Sequence, residues 1–438
     1  MKEFKAHGSR LEDLQAKIIG GAAAGESESQ RCAGVENTEI ARRLLKKFGI
    51  PIVAEDVGGL VGRRVEFFTS NGTIRFKRNE PQPAQKKEIK VLIIDDSAPM
   101  RSIIRKMLEG DPAIRVVGEA EDPIEASRLR EKVRPDVLTL DLHMPRQDGV
   151  TYLREYMRKE PLPAIVLSDY SLKDTGPVMD ALEAGAFDYV KKPTFAEIGH
   201  VGAILIEKIK AAAEANVNTL KTVPSVAHQS PGFLRNSFDP QHLANSMIVL
   251  GASTGGTEAI KVFLSGLPKS IPPILIVQHM PAGFTKNFAE RLNEMFPFGV
   301  KEAEEGEKIQ ENQVYIAPGG RQMCISGRRY DLRISLTDDP PENRFRPSVD
   351  YLFRSFLKVE RRFRMAVLLT GMGNDGAREL LRLKQGGIHT IVQNEATSVV
   401  FGMPKAAIDL HADCEVRPLA EIPLAVMDKF ADLQRKVA

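Results

Sequence analysis

Short apolar runs alternate with amphipathic helical segments along most of this chain, and this alternation is the feature that most restricts its fold. Between residues 89 and 210 the apolar runs recur about every 25 residues, as strands do when helical crossovers join them. The runs are Val91–Asp95, Val116–Ala120, Val137–Asp141, Ala164–Ser168 and Tyr189–Val190. Because a helical crossover returns the chain in the same direction, the pattern predicts an α/β fold with a doubly wound parallel sheet.

The rest of the sequence contains a second predicted domain, two predicted linkers and a small segment at residues 1–78. A second alternating region, residues 246–438, predicts a second doubly wound α/β domain. Two polar, proline-containing stretches, 79–88 and 213–245, interrupt the rhythm and are predicted linkers, so the first sheet domain spans 89–212. Residues 1–78 contain one helical stripe and a hairpin signal at Ser70-Asn-Gly, which predicts a small, partial α/β segment.

The composition excludes several function classes. The 438 residues have a formal charge of only +3, and we find no helix-turn-helix pattern and no basic face, so we expect no nucleic-acid partner. Cys32, Cys324 and Cys414 are too far apart to suggest a disulfide framework or a zinc cluster, which fits a reducing cytosol. We find no signal peptide and no apolar run near the ~18–20 residues that a membrane span needs. We therefore expect a cytoplasmic protein without direct membrane insertion.

Acidic residues follow two strands of the first predicted sheet. Asp95 and Asp96 end its first strand and Asp141 ends its third, so their side chains should meet at one edge of the sheet. Three carboxylates repel one another unless a cation joins them, and oxygen ligands suit Mg²⁺. Ser168 and Lys192 follow the fourth and fifth strands, where a hydroxyl and an ammonium could hold phosphoryl oxygens. Each of these residues taken singly is more often a helix cap or a solvated charge.

The second alternating region contains a G-x-S-x-G pattern directly after an apolar run. This pattern, Gly251-Ala-Ser253-Thr-Gly255, would lift Ser253 out of a tight strand-to-helix turn, as in a nucleophile elbow. A serine hydroxyl needs a general base, and His279 follows another predicted strand. Asp375 lies in a glycine-rich turn after a third strand and could orient that base. The chain order Ser, His, Asp differs from the order in α/β-hydrolases, which favours an independent triad.

Other interpretations of these three residues stay open at this level. The G-x-S-x-G pattern is common by chance, and a lone histidine after a strand is more often structural. Asp375 could simply serve turn formation. A phosphate-binding role for the glycine-rich turns is disfavoured, because neither contains G-x-G-x-x-G or a Walker lysine.

Residues 89–210 resemble a response-regulator receiver domain. The resemblance is carried by Asp95-Asp96, by Asp-Leu-His-Met-Pro-Arg-Gln-Asp-Gly beginning at Asp141, by Ser168 and by Lys192-Pro193. It implies that a histidine kinase phosphorylates Asp141 and that Mg²⁺ binds Asp95, Asp96, Asp141 and the backbone carbonyl of His143. It also implies that Ser168, Tyr189 and Lys192 form the phosphorylation switch. Gln147 stands where methionine is commoner.

Residues 247–435 resemble the catalytic domain of the bacterial chemotaxis protein-glutamate methylesterases. Six motifs carry the resemblance along the whole region: Gly-Ala-Ser253-Thr-Gly-Gly-Thr-Glu, Gln278-His279-Met-Pro, Ile316-Ala-Pro-Gly, Arg346-Pro-Ser-Val-Asp350, Leu-Thr-Gly-Met-Gly-Asn-Asp375-Gly-Ala and Glu395-Ala-Thr-Ser-Val-Val-Phe-Gly-Met-Pro404. It implies a Ser253–His279–Asp375 triad with an oxyanion site at the Thr254 and Met372 amides. Gly320 and Gln322 depart from the family pattern, where Asp and His are commoner.

These resemblances imply a phosphorylation-regulated hydrolase. Its substrates would be methylated glutamates on methyl-accepting chemotaxis receptors, and receptor glutamines would be deamidated as well. The receiver would lie over the esterase site, and phosphorylation of Asp141 would relieve the block. No cofactor is expected in the esterase site. The alternative is a non-enzymatic, phosphorylation-dependent scaffold or adaptor in a two-component pathway.

Residues 11–78 resemble the carboxyl half of the chemoreceptor glutamine deamidases. The matching stretches include the twelve residues from Leu11, the run from Asn37 through Ala54-Glu-Asp-Val-Gly-Gly, and Gly62-Arg-Arg-Val. That family carries its catalytic Cys and His in the amino half, and neither Cys32 nor His7 stands in the required motif. We therefore expect no thiol-dependent deamidase activity from this segment.

Overall fold

The computed structural model describes residues 14–20, 33–58, 63–68, 73–78, 88–169, 175–194, 197–215, 243, 245–328, 331–361 and 363–435. The chain divides into two compact units, Met1–Lys87 and Glu88–Ala438. No helix of the described residues is both long and apolar enough to cross a lipid bilayer.

The first unit contains two small sheets. Strand β1 (Ala16–Gly20) pairs in parallel with β2 (Ile52–Val57), and helix α1 (Ala33–Lys47) connects them. Strands β3 (Arg63–Phe68) and β4 (Thr73–Arg78) form the antiparallel hairpin that the sequence predicts, although the Ser70-Asn-Gly turn itself lies outside the described residues. Several apolar side chains of this unit are exposed. They include Ile40, Leu44 and Phe48, which belong to the predicted apolar stripe of the helical segment, and several residues of the strands.

The second unit begins with a five-stranded parallel sheet. Its order is β6-β5-β7-β8-β9, with helices between successive strands, so the predicted doubly wound fold is confirmed. The helix α6 extends to Glu214, two residues beyond the predicted limit, and most of the predicted linker after it lies outside the described residues. The elements in chain order are β5 (Ile89–Ile94), α2 (Ala98–Leu108), β6 (Ile114–Ala120), α3 (Pro123–Val133), β7 (Val137–Asp141), α4 (Gly149–Lys159), β8 (Ala164–Ser168), α5 (Gly176–Glu183), β9 (Asp188–Lys191) and α6 (Ile198–Glu214).

Local chemistry accounts for where several of these helices begin. Ser97, Asp122 and Asp148 each precede a helix, and each side chain accepts a hydrogen bond from a backbone amide in the first turn. Such caps satisfy amides that have no partner within the helix. Between the helices, the sheet strands are almost wholly apolar and buried, because helices cover both faces of a parallel sheet.

A second, seven-stranded parallel sheet follows within the same unit. Its order is β12-β13-β11-β10-β16-β17-β18, and an antiparallel hairpin of β14 and β15, which the sequence patterns did not predict, stands beside it. The strands are β10 (Ser246–Ala252), β11 (Ile274–Gln278), β12 (Gly299–Glu302), β13 (Gln313–Ile316), β14 (Gln322–Arg328), β15 (Asp331–Thr337), β16 (Phe363–Leu368), β17 (His389–Gln393) and β18 (Glu415–Arg417). The helices are α7 (Gly256–Ser265), α8 (Phe284–Met295), α9 (Val349–Phe356), α10 (Ala377–Gln385), α11 (Met403–Asp409) and α12 (Ile422–Arg435).

Candidate functional site

The strand order of the seven-stranded sheet places a crevice at its centre. After β10 the chain forms one side of the sheet, with β11, β12 and β13, and it then returns to form the other side from β16. Ligand sites in such sheets form at this change of direction, beyond the carboxyl ends of the strands. Ser253 follows β10, Asp375 follows β16 and His279 follows β11, so all three candidate residues reach the same crevice.

A tight turn presents Ser253 to the crevice. Gly255 has a φ of 77°, and a Cβ at this position would lie 2.6 Å from the Cβ of Val399. Both the left-handed backbone and the close approach require glycine. The helix α7 starts at the next residue, and Ser253 is left 8% exposed at the bottom of the crevice.

Ser253, His279 and Asp375 form a continuous hydrogen-bond chain. The Nε2 of His279 lies 2.8 Å from Oδ2 of Asp375, and its Nδ1 lies 3.1 Å from Oγ of Ser253. An ionised carboxylate only accepts hydrogen bonds, so Nε2 carries the imidazole proton and Nδ1 presents its lone pair to the serine hydroxyl. The ring is turned the opposite way from that of the serine proteases, where Nε2 faces the serine.

Asp375 is completely buried, and a dense set of donors surrounds its carboxylate. Besides His279, it accepts from the amides of Val349 (2.7 Å) and Asp350 (3.1 Å) at the start of α9. It also accepts from the hydroxyl of Ser348 (2.9 Å) and the side-chain amide of Asn343 (2.8 Å). Burial alone would raise the pKa of Asp375, but His279, together with the hydrogen bonds from Asn343 and the Val349 amide, outweighs it and lowers the pKa.

The backbone around Ser253 is also fixed by buried side chains. The amide of Ser253 donates to the carbonyl of Thr370 (3.0 Å), and its carbonyl accepts from Nε2 of Gln278 (2.9 Å). The hydroxyl of Thr370 donates to the carbonyl of Thr254 (3.0 Å). In contrast, the amides of Thr254 and Met372, predicted oxyanion donors, have no hydrogen-bond partner within the described residues.

The sequence did not identify Ser348, Asn343 or Thr370 as site residues. Ser348 could have been found as an N-cap, because Ser-Val-Asp precedes the apolar run of α9. Asn343 and Thr370 carry no local signal, since their importance comes only from the neighbours that the fold brings to them.

The crevice also faces the five-stranded domain. Both domains line a cavity of about 1820 Å³ that includes Ser253, His279 and Met372 on one side and residues of β9 and α6 on the other. The hydroxyl of Thr254, next to Ser253, donates a 2.6 Å hydrogen bond to Oδ2 of Asp188 in β9. The other carboxylate oxygen of Asp188 lies 2.6 Å from Nζ of Lys208. No sequence pattern marked Asp188.

Further contacts join the same two domains. The ring of Tyr189, a predicted switch residue, stacks on Phe284 at the start of α8, with centroids 4.9 Å apart and planes inclined by 19°. Arg291 in α8 forms ion pairs with Asp180 (2.7 Å) and Glu183 (3.0 Å) in α5. The predicted switch residue thus contacts the domain that carries Ser253.

A second candidate site lies at the carboxyl edge of the five-stranded sheet. Oxygen atoms of Asp95, Asp96 and Asp141 all lie within 4.8 Å of one another, a spacing that one cation could bridge. Asp95 and Asp141 are almost completely buried, whereas Asp96 is exposed. Nζ of Lys192 lies 2.9 Å from an oxygen of both Asp95 and Asp141.

The charged groups at this site favour binding of both a cation and an anion. Burial raises the pKa of Asp95, and the nearby Asp141 raises it further against the opposing effect of Lys192. Burial would lower the pKa of Lys192, but its bonds to Asp95 and Asp141 raise it overall. The hydroxyl of Ser168 is buried without a hydrogen-bond partner among the described residues, so it is available to a phosphoryl oxygen.

The loop after Asp141 packs closely against the end of that strand. The amide of His143 donates to Oδ1 of Asp141 (3.2 Å), and Asp148 caps α4. A Cβ at Gly149 would lie 2.2 Å from the carbonyl oxygen of Asp141, so only glycine permits this loop. The donor set of carboxylate oxygens fits Mg²⁺, which prefers oxygen ligands and retains water.

Cys32 and His7 lie outside the described residues. The absence of thiol-dependent deamidase activity in the first unit therefore stays a prediction.

Comparison with models of known families confirms the three resemblances that the sequence motifs indicated. A model described as CheB methylesterase matches residues 248–426, and one described as Response regulator receiver domain matches residues 91–200. A model described as CheD chemotactic sensory transduction matches residues 1–78.

Several similar proteins match a stretch of this chain that is longer than any one of its domains. A protein-glutamate methylesterase/protein-glutamine glutaminase of Photorhabdus laumondii is 44% identical over 350 residues, which cover 79% of this chain and 98% of that protein. The protein of the same name from Escherichia coli K12 is 42% identical over 347 residues, covering 78% and 97%. Among solved structures, the Thermotoga maritima CheB methylesterase catalytic domain is similar at 37% identity and a TM-score of 0.41, covering 42% of this chain and 98% of that one.

Proposed function

The chain belongs to the protein-glutamate methylesterase/protein-glutamine glutaminase family, and from this premise we propose which residues perform its reaction and on what. Ser253 is the nucleophile, His279 the general base and acid, and Asp375 the residue that orients His279. The substrates are methylated glutamate side chains of chemotaxis receptors, together with receptor glutamines. The observation that supports this assignment best is the unbroken chain from Ser253 Oγ through His279 to Asp375.

In the first half of the reaction, Nδ1 of His279 removes the hydroxyl proton as Ser253 Oγ attacks the γ-carbonyl carbon of the glutamyl methyl ester. The bond to the methoxy group then breaks, and His279 returns the proton so that methanol leaves. The product is a glutamyl ester of Ser253. Asp375 stabilises the imidazolium that forms between the two steps and holds the ring in place.

In the second half, His279 removes a proton from water, and the water oxygen attacks the same carbonyl carbon. The bond to Ser253 Oγ then breaks, His279 returns the proton to Oγ, and the glutamate side chain leaves with the serine hydroxyl restored. With glutamine as substrate the first leaving group is ammonia instead of methanol. The amides of Thr254 and Met372 would stabilise the oxyanion in both halves, because they are otherwise unpartnered within the described residues.

We further propose that residues 89–212 act as a receiver that controls access to the esterase domain, residues 246–438. Asp141 accepts a phosphoryl group from a histidine kinase, and Ser168 and Lys192 bind its oxygens. Asp95, Asp96, Asp141 and the carbonyl of His143 would hold Mg²⁺, which supplies positive charge against the phosphoryl oxygens. Phosphorylation would then weaken the contacts that Tyr189 and Asp188 make with the esterase domain.

Methanol release from membranes that contain methylated receptors tests the catalytic assignment. We expect Ser253→Ala to abolish release in the presence of a phosphodonor and Mg²⁺, while circular dichroism and thermal unfolding stay those of the parent. Ser265→Ala, which removes a hydroxyl from the exposed end of α7, is the matched control and should retain parent activity. Release that persists in Ser253→Ala would rule out the nucleophile.

A further inference from the structure

The turn Glu342–Phe345 contacts both of the other residues of the proposed triad, His279 and Asp375. The ring of Phe345 stacks on the imidazole of His279, with centroids 3.7 Å apart and planes inclined by 9°. Two residues earlier, Asn343 donates to the carboxylate of Asp375. A single short segment therefore covers the face of the base and holds the acid behind it.

Asn343 does so by bridging two carboxylates. Its Nδ2 lies 2.8 Å from Oδ1 of Asp375 and 2.8 Å from Oδ2 of Asp350. A side-chain NH₂ has two donors, and a carboxylate only accepts, so this arrangement uses both protons of Asn343. Without Asn343, the two buried carboxylates would have fewer hydrogen bonds to stabilise their negative charges.

Two backbone hydrogen bonds close the turn itself. Glu342 and Phe345 exchange two backbone hydrogen bonds of 3.0 and 2.8 Å, and Asn343 and Arg344 between them have φ values of 51° and 72°. Positive φ at both central residues is the signature of a type I′ turn, for which asparagine is favoured. Arginine rarely adopts this conformation, which indicates that surrounding contacts hold it.

Those contacts come from both ends of the turn. Arg354 in α9 forms a forked ion pair with Glu342. Gln322, one of the two departures from the family pattern, is completely buried, and its Nε2 donates to the carbonyls of Phe345 and Pro340 at 3.2 Å. Its Oε1 accepts from the amide of Ser348 (2.9 Å), next to the donors of Asp375.

We propose that Phe345 and Asn343 are positioning residues, which together fix the imidazole plane of His279 and the carboxylate of Asp375 so that Nδ1 stays aligned with Ser253 Oγ. Neither takes part in bond making. The inference rests on the proposed function of Ser253, and it adds a structural element that the triad alone does not include. Asn343 acts on the acid through hydrogen bonds, and Phe345 acts on the base through its flat face, which a branched aliphatic side chain cannot replace.

The test measures how fast a serine-directed fluorophosphonate labels Ser253 in the full-length chain with a phosphodonor and Mg²⁺ present. About 1 Å of misplacement in a catalytic geometry costs on the order of 10²-fold in rate, so we expect Phe345→Leu and Asn343→Ala to slow labelling by about 10- to 100-fold. Phe345→Tyr keeps the ring and should retain at least about half of the parent rate. Arg344→Ala is the matched control from the same turn, because its side chain is 83% exposed and points to Glu207, and it should stay within about twofold.

A second measurement distinguishes a loss of positioning of His279 from a general loss of folded structure. The proton NMR signal of the hydrogen-bonded imidazole N–H between His279 and Asp375 should broaden or disappear in Phe345→Leu and remain in Phe345→Tyr. Should Asn343→Ala fail to fold, the Phe345 pair alone decides. Labelling of Phe345→Leu within about twofold of the parent, or equal slowing in Phe345→Tyr, would overturn the proposal.

Failure of the proposed function would look different. In that case the parent chain would not be labelled, or labelling would persist in Ser253→Ala. Labelling that requires Ser253 but is indifferent to Phe345 and Asn343 would leave the triad in place and remove only the positioning role of the turn.

Discussion

The hydroxyl of Thr254 donates a 2.6 Å hydrogen bond to the carboxylate of Asp188, so the last strand of the receiver contacts the residue that follows the proposed nucleophile. Both side chains are buried, with Thr254 7% and Asp188 7% exposed. The amide of the same threonine is a proposed oxyanion donor. This bond therefore joins the receiver to the esterase domain at a residue next to Ser253, as the proposed control of access requires.

Removing the carboxylate should therefore raise basal activity. A hydrogen bond to a charged group contributes about 1.5–3 kcal/mol, which corresponds to about 10- to 100-fold in the equilibrium between docked and undocked receiver. We expect Asp188→Ala to increase methanol release without a phosphodonor by up to that factor and to reduce further stimulation by a phosphodonor.

The exposed ion pair between Arg344 and Glu207 offers a matched control within the same interface. Exposed pairs contribute about 0–1 kcal/mol, so Glu207→Ala should change basal release by no more than a few fold. Equal basal rates for Asp188→Ala and the parent, with both folded, would contradict a role for Asp188 in occlusion.

Replacing the buried acid should impair the chemical step rather than substrate binding. In Asp375→Asn the side chain can no longer hold the proton on Nε2 of His279, so Nδ1 loses its free lone pair toward Ser253. The corresponding change in a serine protease lowers kcat by about 10⁴-fold, and we expect a loss of that order with little change in KM. Steady-state methanol release at varied receptor concentration separates the two parameters. A loss confined to KM would contradict the orienting role.

Much of the esterase crevice could be predicted because its residues stand at strand ends. Ser253, His279 and Asp375 each follow an apolar run, and parallel strands bring their carboxyl ends to one edge. The same argument placed Asp95 and Asp141 together. Strand order was not predictable in this way, since the pairing of β10 with β16 joins segments more than 100 residues apart.

The rest of the site depends on contacts without a local pattern. Asp188 gains its importance only when two domains dock, and docking leaves no periodic signal in the sequence. Asn343 lies in a turn whose placement over the triad depends on Gln322 and Arg354, which lie outside the turn in sequence. The hairpin of β14 and β15 was missed because its strands lie outside the parallel rhythm on which the prediction rested.

Phosphorylation should act only through the acidic site. Asp141→Asn removes the proposed acceptor, and we expect it to abolish stimulation by a small-molecule phosphodonor while leaving basal methanol release within about twofold of the parent. Chelation of divalent cations with EDTA should remove the stimulation of the parent in the same way, and excess Mg²⁺ should restore it. Thr151→Ala, in the neighbouring helix α4, is a control that should keep the response. Stimulation that persists in Asp141→Asn would place the acceptor elsewhere.

The carboxyl group of Asp350 should make stability depend on pH. Burial, and then the negative charge of Asp375, raise its pKa from 3.8 to about 6. Because the folded state binds this proton more tightly than the unfolded state, the contribution of Asp350 to stability is fully present below pH about 4 and is lost as the pH rises through about 6. The loss is on the order of 3 kcal/mol.

Asp350→Asn should therefore unfold at a higher temperature than the parent at pH 7.5, with the gain shrinking or reversing at pH 4.5. Calorimetric unfolding at both pH values measures this difference, and Asp409→Asn, at an exposed carboxylate on α11, should leave it near zero. A gain for Asp350→Asn that is the same at both pH values would mean that the carboxyl group does not titrate in this range.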